Sequence, residues 1–443
     1  MSSFTKSYLK FVQRVLPSPL TIAVVLTALT AVLALVFTQD NSIVDVGMAW
    51  QKGFWELLSF TMQMMIMLVL GHTLALSKPS GLLIDWITSR CTSSSAAVVM
   101  VSLFSVIAGL VNWGLGLIFG AILARKVGEH CRRQHIRVSY GLLGTCGYLS
   151  LLVWHGGLSG SAPLTVAKAG HSMEALMGVV PVSSTLLAMP NILASIGVLI
   201  ALPLTAHILN RLIKPSKSDG LPKLSGKPSA PKKAKGAERL DHTSLLGIAL
   251  GLMMLGLAFR EMLQTDNALG YFNLDTINFI LFGFALLFHG SLFSFTQAAE
   301  RAIRGTTGIL IQFPLYAGIM GIMKYSGLLL VFAEFFTEIS TAQSFPFFAY
   351  LSSSIVNILV PSGGGQWQVQ GPILLEAAKT LGVNPSKVVM ALAYGDQLTN
   401  MLQPFWALPL LGITGLKAKH ILPYSALFML LAGSIYLLVL YLL

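Results

Sequence analysis

The chain has 443 residues, of which 54% are apolar and 10% charged, with a net charge of +12. Ordinary soluble proteins carry about 25% charged residues, so this composition excludes a conventional water-soluble domain and points to a chain embedded in lipid. The basic excess sits in short loops beside apolar runs, which argues for membrane-loop bias and against a nucleic-acid partner.

Lys6, Lys10 and Arg14 precede an uncharged run at 20–37 that is long enough to cross a bilayer. No small-residue cleavage site follows it, so it reads as a retained span rather than a signal peptide. With its basic flank inside, this span runs outward, and residues 57–77 return. The run at 96–124 is followed by Arg125, Lys126, Arg132, Arg133 and Arg137. Loops 78–95 and 125–137 then share the cytoplasmic side, and 96–124 becomes a re-entrant hairpin with its tip near Val111-Asn112-Trp113-Gly114. Residues 138–166 run outward through a helix-breaking centre, His155-Gly156-Gly157-Leu158-Ser159-Gly160-Ser161-Ala162-Pro163, and 175–210 return. A linker at 211–241 holds nine Lys or Arg and four prolines, a composition that cannot build a core. The three cysteines, Cys91, Cys131 and Cys146, have neither disulfide nor metal spacing and read as packing residues.

After the linker the same plan recurs upside down. Runs at 243–259, 276–299 and 305–323 alternate across the membrane, and 421–443 closes the chain. Between them, residues 339–375 form 37 positions without one Lys, Arg, Asp or Glu, centred on Pro361-Ser362-Gly363-Gly364-Gly365. No continuous helix tolerates that centre. Broken backbone at membrane depth survives only in protein or beside a water-filled cavity, so the segment reads as a second re-entrant hairpin. A second broken helix follows at 388–416, interrupted around 395–404. The expected fold class is an all-α polytopic membrane protein with two inverted-topology repeats, 1–210 and 242–443. Each repeat carries a re-entrant hairpin and a broken helix, as in many secondary transporters.

The breaks supply the chemistry. A helix interrupted in lipid presents free N–H groups at one end, suited to an anion, and free carbonyls at the other, suited to a cation. Ser159, Gly160, Ser161, Ser362, Gly363, Gly364 and Gly365 are candidates to cradle a carboxylate, with the closest backbone approach expected at Gly364. Asn112, Asn357, Gln366, Gln397, Asn400 and Gln403 offer both donors and acceptors. Each asparagine either contacts ligand or closes its hairpin tip. Asp396 is the only acidic residue between 388 and 416, and a carboxylate at that depth defaults to a functional hypothesis. It binds Na⁺ (near Asn112 and Asn357), carries a coupled proton, or braces the break. His72, His155 and His289 read mainly as hydrogen-bonded interior residues, with His155 the strongest candidate for more. Trp113, Trp154, Trp367 and Trp406 near the breaks suit an apolar substrate tail or plain packing.

The motifs Gly53-Phe54-Trp55, Val111-Asn112-Trp113-Gly114, Phe313-Pro314, Val360-Pro361-Ser362-Gly363-Gly364-Gly365-Gln366-Trp367, Ala393-Tyr394-Gly395-Asp396-Gln397 and Gln403-Pro404-Phe405-Trp406-Ala407-Leu408-Pro409 resemble the bacterial short-chain fatty acid transporter family. That family often carries Glu at the position of Asp396. The resemblance implies uptake of small monocarboxylates such as acetate, butyrate or acetoacetate, with two re-entrant hairpins; coupling to H⁺ or Na⁺ is expected of a secondary carrier, with no cofactor. The resemblance also implies a bacterial cytoplasmic membrane location and dimeric assembly. Two alternatives remain on the sequence. One is a carboxylate channel. The other is an intramembrane serine protease, built on Gly157-Leu158-Ser159-Gly160 with His289 as base.

Overall fold

The computed structural model describes residues 18–38, 41–167, 169–171, 173–213, 236–264, 271, 274–361 and 363–442. Ser362, the basic amino-terminal residues and 214–235 of the linker fall outside the described residues.

Every regular element among the described residues is helical. The first half runs α1 Pro19–Phe37, α2 Ile43–Phe54, α3 Leu58–Ala75, α4 Lys78–Ser89, α5 Ser94–Val111, α6 Trp113–Arg133, α7 Tyr140–Tyr148, α8 Ser161–Val166, α9 Glu174–Met177 and α10 Met189–Leu212. After a short α11, Glu238–His242, come α12 Ser244–Gln264, α13 Leu274–His289, α14 Leu292–Ala302, α15 Thr307–Tyr325 and α16 Leu328–Glu338. The chain finishes with α17 Phe345–Leu359, α18 Gly363–Leu381, α19 Pro385–Thr399, α20 Pro404–Thr414 and α21 Ala418–Leu442. Among the described residues, six helices are long and apolar enough to cross a bilayer: Leu20–Phe37, Ser94–Val111, Met189–Leu212, Ser244–Gln264, Thr307–Tyr325 and Ala418–Leu442.

Face selection follows the helical period. On α10, Ile192, Ile196, Ile200, Leu204 and Ile208 recur every fourth residue and are exposed, while Ala194, Val198, Leu202 and Ala206 are buried. Both faces are apolar, so the exposed row faces lipid rather than water.

The asparagine-tipped segments are antiparallel helical hairpins. In the first, a Cβ at Gly116 would lie 2.7 Å from the Gly109 Cα and one at Gly120 2.9 Å from the Ser105 Oγ, the crossed spacing of two helices folded back at residue 112. The helices extend past the predicted 96–124, and α5 alone, at 18 residues, has the length of a span. In the second, Gln366 and Gln370 on α18 meet Ser352 and Ser353 on α17. Both predicted broken helices are interrupted: α7 passes through short 3-10 turns at Leu149–Leu152 and Trp154–Gly156 before α8, and α19 through Asn400–Leu402 before α20.

Two predicted spans are divided. The run at 175–210 becomes helical as α10 only at Met189, after the short α9 and a 3-10 turn, because Gly178, at φ 68°, and Pro181 stop a helix forming earlier. The run at 276–299 splits into α13 and α14 at Gly290, whose φ is 74°, and Ser291 caps the second piece through the Ser294 N–H.

Candidate functional site

The two interruptions meet in the core. His155 lies in the 3-10 turn before α8 and Asp396 near the end of α19, 241 residues apart in sequence, and their side chains are joined by a 2.7 Å contact from Nδ1 to Oδ2. His155 is 0% exposed and Asp396 1%. The other ring nitrogen, Nε2, accepts the Ala162 N–H at 3.0 Å. A nitrogen that accepts carries no proton, so in the neutral ring the hydrogen sits on Nδ1 and is donated to the carboxylate. Asp396 Oδ1 is buried without a partner.

Gln397 ties the same backbone from its other side. Its Oε1 accepts the N–H groups of His155 at 2.9 Å and Gly156 at 3.2 Å. Asn191 on α10 donates to the Gly156 carbonyl at 2.8 Å and accepts the Tyr394 hydroxyl at 2.9 Å. Tyr148 donates to the carbonyls of Asn400 and Gln403, and Tyr436 donates to Leu152 at 2.5 Å. Each bond runs between the two halves or closes a break, so the irregular backbone is satisfied from inside the protein.

The amino end of α18 rests on this pair. A Cβ on Gly363 would stand 2.8 Å from the His155 Cε1, 2.8 Å from the Trp154 Cη2 and 3.1 Å from the Asp396 Oδ2. Only glycine permits that approach. Gly364 has more room, with Ser161 at 3.7 Å from its virtual Cβ, so the close contact falls one residue before the position predicted from sequence. The first-turn N–H groups of a helix, which here include Gly363 and Gly364, have no carbonyl of their own helix to meet, and the helix dipole adds about half a positive charge there.

The two asparagines differ. Asn112 Oδ1 accepts the N–H groups of Gly114 at 2.9 Å and Leu115 at 3.1 Å, so this side chain caps α6. It is spent on closing the tip. Asn357 instead donates to the Asp396 carbonyl at 2.6 Å, Thr399 Oγ1 at 3.0 Å and Asn400 Oδ1 at 2.9 Å, while its own Oδ1 has no partner. Gln403 Nε2 bonds the Asn357 carbonyl. Gln366 reaches Ser353 and Gln370 at 3.0 and 2.8 Å, and leaves its Oε1 free. Gly160 precedes α8 and packs on the His155 carbonyl.

Ser159 Oγ accepts the Trp113 N–H at 3.0 Å, which pins the first hairpin tip to the break. His289 bonds the Thr73 carbonyl at 2.8 Å, and both His155 nitrogens are engaged by Asp396 and Ala162. A serine nucleophile needs a base aimed at its hydroxyl, and this arrangement aims neither histidine at Ser159. The Trp113 ring lies 6.2 Å from Trp154 and 5.4 Å from Trp406, centre to centre, and forms an aromatic wall beside the pair. Among the described residues no three His, Cys, Asp and Glu side chains gather as a metal cluster.

Sequence reasoning missed Asn191 and the tyrosines Tyr148 and Tyr436 as braces. Asn191 stands alone as an amide in the first two turns of an apolar helix, a signal that the cost of polar groups in lipid makes readable.

Apolar helices of spanning length around a fully buried ionisable pair define a multi-pass membrane protein. The profile described as short-chain fatty acid transporter matches residues 1–443, and the chain belongs to that family. It is 38% identical over 435 residues to an Escherichia coli protein provisionally described as a short-chain fatty acid transporter, covering 96% of both chains. It is 36% identical over 444 aligned positions to a Haemophilus influenzae protein of the same description, covering 97% of each. A looser likeness reaches the crystal structure of the YdaH transporter of Alcanivorax borkumensis, with a TM-score of 0.44, 16% identity and coverage of 96% of this chain and 97% of that one.

Proposed function

We propose that this protein is a secondary active transporter that takes up short-chain monocarboxylates such as acetate, butyrate or acetoacetate with H⁺ or Na⁺. It works by alternating access around the junction of the two breaks. One observation carries the reading: a titratable pair, His155–Asp396, is sealed at that junction under the amino end of α18. Such a pair is costly at membrane depth, and ionisable groups retained there mark ion and substrate pathways. The helix end offers an anion the N–H groups it needs, and the tryptophan wall offers a short acyl tail an apolar surface.

In this reading the two halves are inverted repeats, and both hairpins are re-entrant. The basic loops lie in the cytoplasm, the location is the bacterial inner membrane, and the protein works as a dimer. The matching order of hairpin, interrupted helix and long helix in each half supports the repeat. The basic residues after α6 support the orientation.

The test is uptake of radiolabelled butyrate into proteoliposomes, corrected for protein-free vesicles because butyric acid itself permeates, with pH and Na⁺ gradients imposed separately. A carrier gives gradient-driven protein-dependent uptake and butyrate counterflow. Protein-dependent flux without counterflow would indicate a channel and overturn the proposal.

A further inference from the structure

We propose that the coupling ion is a proton taken by Asp396, and that Asp396 and the substrate carboxylate alternate as the single negative charge beneath α18. The inference rests on the carrier reading above and names the ion which that reading leaves open.

The unpartnered atoms around the pair come in two kinds. Trp154 Nε1, Gln397 Nε2 and Asn400 Nδ2 are buried donors without acceptors, and Asp396 Oδ1 and Asn357 Oδ1 are buried acceptors without donors. Buried polar groups in a finished structure are normally satisfied. The free donors, together with the first-turn N–H groups at Gly363 and Gly364, suit an incoming carboxylate. The free Oδ1 suits a proton.

Charge sets the order. The neutral His155 ring donates to Asp396, so the empty site carries one negative charge, opposed by the positive end of α18. Two carboxylates at close range cannot both stay ionised, and one of them takes a proton. Substrate therefore enters only when a proton from the outer water has formed an O–H bond at Asp396 Oδ1. The loaded site again holds one negative charge, now the substrate's. When the substrate leaves on the inner side, the O–H bond breaks and the proton follows into the cytoplasm. One proton and one carboxylate cross per cycle, and no net charge moves.

Few other ionisable groups reach the pair. The tyrosines on the elements packed around it, Tyr148 on α7, Tyr350 on α17, Tyr394 on α19 and Tyr436 on α21, are engaged with Asn400 and Gln403, Gly433, Asn191 and Leu152. On α18 the charged side chains, Glu376 and Lys379, lie three or more turns from Gly363. On α9 the acidic Glu174 bonds the Gly170 N–H at 2.5 Å, and His171 beside it bonds the Gly178 carbonyl at 3.1 Å. The ion pairs of the described Lys and Arg residues are with Glu129 and Glu56, not with Asp396. His155 is thus the positioning residue, holding Oδ2 so that Oδ1 remains open.

The test uses the full-length protein in proteoliposomes, with initial butyrate rates corrected for protein-free vesicles. In the wild type an acid-outside gradient raises the protein-dependent rate, a Na⁺ gradient does not, and a pH dye records one proton per butyrate. A membrane potential clamped with valinomycin leaves that stoichiometry unaccompanied by charge. Asp396→Asn, the fixed mimic of the protonated acid, abolishes both stimulation by the pH gradient and the proton movement that accompanies butyrate. Asp396→Glu keeps both. His155→Ala, which leaves Asp396 Oδ2 without its donor, changes the pH dependence of uptake. His155→Asn, which keeps a donor near Nδ1, restores it. Na⁺-driven uptake indifferent to the pH gradient, or pH-driven uptake surviving in Asp396→Asn, overturns the inference and leaves the carrier reading standing. A wild type with no protein-dependent counterflow at all takes down that reading itself. If Asp396→Asn fails to fold, the wild-type proton count and charge movement decide, and net charge transfer overturns the proposal.

Discussion

The two hairpin tips begin from similar sequences, Val111-Asn112 and Val356-Asn357, and end in different chemistry. At the first, the asparagine Oδ1 caps the next helix and Ser159 fastens the turn to the neighbouring break, so these polar atoms are spent on structure. At the second, five residues separate the asparagine from the next helix, and the asparagine side chain reaches across to the backbone beside Asp396. Unpartnered amide oxygens remain there on Asn357, Gln366 and Gln403. A repeated plan does not imply repeated duty. The first tip is a brace, and the second is where unmet hydrogen bonds lie.

The largest expected effect separates two adjacent glycines at the second tip. Gly363→Ala forces a methyl into His155, Trp154 and Asp396, and overpacking of this kind costs about 1–3 kcal/mol. Butyrate uptake per molecule should fall at least about tenfold, the equivalent of about 1.4 kcal/mol. Gly364→Ala, with its nearest neighbour at 3.7 Å, should transport like the wild type. Equal loss in both would mean that the glycine run serves as a hinge and not as a contact.

The asparagines sharpen the contrast. Asn357→Ala removes the donor shared by Asp396, Thr399 and Asn400, and uptake should be lost while membrane insertion is kept. Asn112→Ala removes a cap, which costs about 1 kcal/mol of stability. It should lower the thermal midpoint by a few degrees and leave uptake by the folded protein within about twofold, a change of about 0.4 kcal/mol. Reversal of these phenotypes would move the working site to the first tip.

Smaller effects are expected at the braces. Tyr394→Phe deletes the bond to Asn191, worth about 1 kcal/mol, and should appear in thermal stability before it appears in uptake. His289→Gln, at a residue bonded to the Thr73 carbonyl, should leave both nearly unchanged. A large loss of uptake there would place a second proton site outside the junction.

Topology is tested by cysteines at Ser93 and Gln134, the ends of the first hairpin, which should label only from the cytoplasm. Burial pushes the native Cys91 thiol up to about 11, which keeps its background labelling low. Labelling of either site from outside would break the proposed orientation.

Much of this architecture was legible because lipid makes irregularity expensive. The first hairpin tip was read from the basic loops on both its flanks, while Gly, Pro and Ser runs inside uncharged stretches marked the first interruption and the second hairpin tip. Asp396 stood out by the same logic. Its partner did not, since nothing local tells His155 which of several polar groups 241 residues away it will meet. The roles of Asn112 and Asn357 were also undetermined, because capping and ligand contact ask for the same side chain. The division at Gly290 went unread for another reason: a single glycine in an apolar run is compatible with a continuous helix until its φ turns positive.

The most direct test of the account is a structure of the protein determined with a bromine-labelled butyrate. The account places the carboxylate within hydrogen-bond distance of the N–H groups at Gly363 and Gly364, beside Asp396, with the bromine against Trp113 and Trp154. A ligand seated at the first hairpin tip on Asn112, with the His155–Asp396 junction empty, would contradict it.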